Sequence, residues 1–127
     1  MERNELMVGD WVYRPDCHDK VKEIRENGII GEDSFRGLIG FSELKPIPLT
    51  TEILEKNGFD ISDPEVKQYH FEEDGQRYHF SLRQMYNKDN KPDGYSFFAF
   101  SVLTIIDYVH QLQLAFKLCG IDKEIVL

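Results

Sequence analysis

Cysteine is nearly absent from this 127-residue chain. Only Cys17 and Cys119 occur, far apart, and there is no C-x-x-C pair. A disulfide framework and a thiolate metal cluster are therefore excluded, and free thiols point to a reducing, cytoplasmic setting. Positive charge is scarce as well: 15 Lys and Arg stand against 23 Asp and Glu, a net charge of −8. Neither half is basic, with 8 basic and 12 acidic groups over residues 1–58 and 7 and 11 over residues 59–127. No phosphate-binding footprint exists, and nucleic acid is disfavoured as a partner. Arg83, Lys88 and Lys91 are interrupted by Asp89 and Asp93, and the acidic runs Glu32-Asp33 and Glu72-Glu73-Asp74 are too short to mimic DNA. Long hydrophobic runs are missing too. The longest, residues 97–106, is broken by Ser101 and Thr104 and is too short to span a bilayer. The first residues, MERNE, carry no apolar signal region. A G-x-S-x-G elbow, a P-loop and a G-x-G-x-x-G fingerprint are all lacking, and no carboxylate pair stands apart from solvated runs. Neither catalysis nor a cofactor is expected.

What is present suits a folded domain. Apolar residues are 41% of the chain and aromatics 13%, enough for a core. Up to residue 44, short strand signals alternate with turns at Gly9-Asp10, Pro15-Asp16, Asn27-Gly28 and residues 31–34. That spacing predicts a small antiparallel barrel or meander, and L-x-x-G-D-x-V is similar to the opening of SH3-like barrels. Pro46 and Pro48 then force an extended segment. Thr50 is a good N-cap, Leu49 and Leu54 form a hydrophobic staple, and Asn57-Gly58 ends a short helix in a left-handed cap.

Asp74-Gly75 marks the clearest hairpin. With those two residues as the turn, Phe71 faces Tyr78 and Tyr69 faces Phe80 on one face, taken as core. Glu72 faces Arg77 and His70 faces His79 on the other. Residues 87–94 read as a polar loop and the best candidate for disorder, and residues 95–100 as a buried strand. A final helix runs from Asp107 to a stop at Gly120, with a stripe of Val109, Leu112, Phe116 and Cys119 that Leu114 and Leu118 widen. The expected architecture is α+β: an SH3-like β-barrel lobe over residues 1–48, then an α+β lobe over residues 49–127 with a short capped helix and an antiparallel sheet on which the C-terminal helix packs.

Candidate functional residues are few. His70 and His79 offer two imidazoles to one metal, but a zinc site wants at least three protein ligands, so they read as a solvated hairpin face. His110, Gln111 and Gln113 are the most distinctive polar cluster, either a recognition surface or side chains bonded to a neighbouring loop. Trp11 and Tyr13 join them as the candidate interaction surface, and Phe35 is a third ring able to stack on a base.

The segments PIPLTTEILEKNGF (residues 46–59) and YVHQLQLAFKLCG (residues 108–120), with GDWVY (residues 9–13) ahead of them, resemble a family of small uncharacterised proteins. That family is frequent in gut Bacteroidetes, often in prophages or other mobile elements. Its members pair a Pro-Leu-Thr-x-Glu-Ile-Leu segment with a C-terminal His-x-Leu-Gln helix. This chain departs from the pattern at Asn57, where a cysteine is common, and at Leu114, Ala115 and Cys119. The resemblance implies a source and a layout, and it carries over no catalytic residue. The expected role is a non-enzymatic accessory or adaptor protein that binds another protein or itself, without a membrane. A nucleic-acid-associated factor using the N-terminal lobe, and an enzyme with no recognisable motif, are the alternatives.

Overall fold

The computed structural model describes residues 1–33, 37–99 and 102–127; Phe35, one of the candidate stacking rings, lies outside them, as do Phe100, the last residue of the expected strand 95–100, and Ser101. The chain is α+β and divides into two compact units. The first comprises Met1–Pro48 with Tyr108–Gln113, and the second Leu49–Asp107 with Leu114–Leu127.

In the first unit, β1 (Trp11–Arg14), β2 (Cys17–Arg25), β3 (Gly28–Gly31) and β4 (Leu38–Gly40) form an antiparallel sheet in that order. Leu6, Val12, Val21, Ile29, Ile39 and Leu44 make its buried core. The expected closed barrel is not found. After a 3-10 turn at Phe41–Glu43 the chain returns to β1 through a single bridge, Tyr13 with Lys45, whose two backbone bonds are each 2.8 Å. Pro46 and Pro48 flank the next position and lack the N–H that a longer ladder requires. The β2–β3 turn also differs from expectation. Its two residues are Glu26 and Asn27, and Gly28 is already in β3, opposite Arg25 and Gly40. Gly28 serves close approach rather than positive φ, because a Cβ there would lie 2.2 Å from the Ile39 carbonyl oxygen.

In the second unit, α1 (Thr51–Lys56) starts where Thr50 Oγ1 accepts the Ile53 N–H. It ends in a Schellman motif, with Phe59 N–H bonded to Leu54 O and Gly58 N–H to Glu55 O. β5 (Val66–Glu73), β6 (Gln76–Tyr86), β7 (Pro92–Ala99) and β8 (Val102–Ile106) form the second antiparallel sheet. Asp74 and Gly75 both have positive φ and set the predicted register, Tyr69 opposite Phe80 and His70 opposite His79. The aromatic face is only partly core. Phe80 is buried against Phe59, Phe97 and Phe116, but Phe71 is half-buried and Tyr78 is 43% exposed, because the hairpin tip runs past the rings that cover Phe80.

Pro92 to Gly94, expected in a polar loop, open β7, and the preceding turn is tied by Asn87 Oδ1 accepting the N–H groups of Asp89 and Lys91. The strand expected over residues 95–100 falls in β7, and residues 102–106, which the sequence leaves open between strand and helix, form β8. Helix α2 (Val109–Leu118) follows and also ends in a Schellman motif, with Gly120 at φ +71°. Its buried side is Val109, Leu112, Ala115 and Phe116. Leu114 and Leu118 do not widen that stripe. At about 100° per residue they fall on the opposite side of the helix, and both are exposed. The tail after Gly120 forms no strand. Ile121 and Ile125 are buried, and the Asn57 amide bonds both the N–H and the carbonyl of Val126 at 2.7 Å.

Candidate interaction surface

The first unit holds all five residues that the sequence nominates. Trp11 opens β1 half-buried, with Lys20, its cross-strand neighbour, placing Nζ 5.0 Å from the ring centroid. Tyr13 is 43% exposed, and its ring meets that of His18 edge-on at 4.7 Å. The three helix residues turn inward. The Gln113 amide accepts the Trp11 N–H and donates to Gly9 O, each at 2.9 Å, so it fixes the entry to β1. Gln111 Oε1 accepts the Tyr108 N–H at 3.1 Å and caps the first turn of α2. His110 is only 7% exposed and stacks on Tyr108, its Nδ1 without a hydrogen-bond partner among the described residues. Burial pushes the His110 pKa down, against a smaller upward pull from the Glu5 carboxylate. Trp11 and Tyr13 are thus the members that offer ring surface, while the glutamines hold backbone.

A second polar centre escaped the sequence. Arg14, 4% exposed, reaches Asp16 at 3.3 Å, Asp19 at 3.4 Å and Asp33 at 3.0 Å, and its Nε donates to Cys17 Sγ at 2.9 Å. The bonds to Cys17 and Asp33 hold the guanidinium pKa above its ordinary value. Gly31 completes the packing, since a Cβ there would lie 2.1 Å from Asp19 Oδ2. One arginine already answered by three carboxylates ties the β1–β2 turn to the chain after β3, and it has no charge left for an anion. The depression beside it, about 320 Å³ and lined by Arg14, Pro15, Asp16, Leu38, Ile39 and Glu43, is acid-rimmed and open. Among the described residues no group of three or more His, Cys, Asp or Glu gathers to hold a metal, and no helix is long and apolar enough to cross a membrane.

Both units expose single apolar residues, Val8 and Leu38 in the first among them, and the second adds a pair on one helix. Leu118 is 70% exposed and Leu114 42%, one turn apart on the outer side of α2. Tyr78, Tyr86, Ile105 and Val126 are also exposed in that unit. The sequence signal for the leucine pair was present, because both residues fall opposite the Val109, Leu112 and Phe116 stripe.

No family model, no curated protein and no solved structure matches this chain.

Proposed function

We propose that the chain is a non-enzymatic adaptor of a mobile element, acting through protein–protein contacts made by the outer side of α2. The observation that carries this reading is the exposure of Leu114 and Leu118 one helical turn apart, 42% and 70%. Burying a leucine is worth about 1.5–3 kcal/mol, so a partner presenting an apolar groove gains from covering both. The mobile-element setting rests on the resemblance of residues 46–59 and 108–120, and a cytoplasmic location on two free cysteines. An SH3-like reading of the first unit is supported by the 3-10 turn that precedes the return to β1 at Lys45.

The test is a tagged pull-down from host lysate, treated with nuclease and read by mass spectrometry, comparing the natural chain with Leu114→Glu/Leu118→Glu. A stoichiometric protein held by the natural chain and lost from the variant is the expected result. Partners that vanish with nuclease, or that the double variant retains in full, overturn the reading.

A further inference from the structure

Register places His70 of β5 directly opposite His79 of β6, each three residues from the Glu73–Gln76 pair that closes the hairpin. Directly opposed side chains share a face, and this one is the face opposite Phe80 and Leu82, the buried residues that alternate with it. Both histidines are exposed, and their ring centroids are 6.2 Å apart with planes inclined at 57°. Two imidazoles that share one ion, each at about 2.0–2.1 Å from it, set their ring centroids roughly 5–6 Å apart. The observed 6.2 Å lies just beyond that range, and a small rotation of two solvent-facing side chains brings it inside.

The same face carries charge of both signs, with Glu72 answered by Arg77, and one further carboxylate approaches His70. Asp60 pairs with Gln68 along the outer edge of β5, so its carboxylate lies on the same face, diagonal to His70. Its pKa is lowered chiefly by hydrogen bonds from Ser62, with a smaller contribution from His70 charge. Glu72 follows His70 by two positions on that face, 3.8 Å from Arg77. No third side chain of the described residues completes a closed coordination shell. A site with two protein ligands leaves the remaining positions to water, and its ion exchanges.

We propose that His70 and His79 form an open, exchangeable two-imidazole site for a borderline transition-metal dication of the Zn²⁺, Cu²⁺ or Ni²⁺ class. Neutral imidazole suits these ions, whereas Mg²⁺ and Ca²⁺ prefer oxygen donors. The ion would join the two strands of the hairpin across their solvent face and favour the paired over the unpaired state. This inference is independent of the α2 reading, since it uses neither Leu114 nor Leu118.

The experiment titrates Zn²⁺ into the full chain by calorimetry at pH 7.5, alongside His70→Gln, His79→Gln and, as a control, His18→Gln. Amide resonances of the natural chain are followed in a parallel titration. The natural chain should bind one ion, each hairpin substitution should weaken binding at least tenfold, and His18→Gln should leave it unchanged. Perturbed resonances should centre on residues 70 and 79, and acidification should abolish binding because imidazole must be deprotonated to ligate. Because both histidines are exposed, the metal-free melting temperatures of the variants should match that of the natural chain. Absence of Zn²⁺ binding, binding unaltered by His79→Gln, or perturbations centred elsewhere would overturn the proposal.

Discussion

Truncating Phe80 tests the second sheet at its centre. The ring is 3% exposed, stacked on Phe97 at 4.4 Å and set edge-on to Phe116 at 4.9 Å and Phe59 at 6.2 Å. Phe80→Ala removes all three ring contacts and leaves a cavity between the sheet and the rings of Phe59 and Phe116. The expected cost is about 3–5 kcal/mol, from lost transfer free energy plus the void. Small domains hold only about 5–15 kcal/mol in total, so this is a large fraction of the whole. Tyr78 lies two residues earlier on the same face but is 43% exposed, and its hydroxyl donates to the neighbouring Gln76. Tyr78→Ala should therefore cost less than about 1 kcal/mol. Urea unfolding of both variants, followed by far-UV circular dichroism, checks the contrast. With a slope of about 1–3 kcal/mol per molar urea, Phe80→Ala should lower the midpoint by about 1 M or more and Tyr78→Ala by a few tenths. Equal losses at the two positions would refute the conclusion that the hairpin tip runs past the core.

Two further outcomes are expected. His110 is held neutral by burial, below the ordinary value of 6.5, so the unfolded chain takes up a proton that the folded chain refuses. Stability should be constant above about pH 6.5 and fall as pH drops below it; melting curves from pH 7.5 to 5.5 should show a steeper loss for the natural chain than for His110→Leu, and parallel curves would contradict this account. Gly28→Ala should destabilise by about 1–3 kcal/mol, because its Cβ would meet the Ile39 carbonyl at 2.2 Å, whereas Gly75→Ala, with nothing within 4 Å, should lose only the cost of positive φ; fluorescence of Trp11, the sole tryptophan, reports the first of these directly.

Local signals in the sequence are decisive where one chemical device fixes one conformation. Thr50, Gly58 and Phe59 specify the start and stop of α1 because capping is a contact among neighbours in sequence. Asp74-Gly75 fixes the register of β5 and β6 because both residues tolerate positive φ. The same rule misled at Asn27-Gly28, where glycine answers a clash with Ile39, eleven residues away and invisible to any local pattern. The Arg14 centre was illegible for the same reason. Asp16 and Asp19 are near in sequence, but Asp33 arrives from 19 residues away, and Asn57 meets Val126 across 69. The helix trio shows the intermediate case: residue type showed that Gln111 and Gln113 bond something, and only the fold shows that the partners are the Tyr108, Trp11 and Gly9 backbones.

Helix α2 carries more apolar surface than its packing uses. Leucines scattered singly over a surface are ordinary and ask for no explanation. Here the helix already has a complete apolar side in Val109, Leu112, Ala115 and Phe116, which accounts for its docking. Polar residues at positions 114 and 118 would keep that side intact, retain helix propensity and raise solubility. Folding therefore gives no reason for leucine at either position. A pair one turn apart also shares a single face, so one partner surface covers both, which two isolated exposed leucines would not allow. The consequence for folding is specific: Leu114→Glu/Leu118→Glu should leave the unfolding midpoint of the free chain within experimental scatter, so that any loss of binding by that variant is a loss of surface and not of structure.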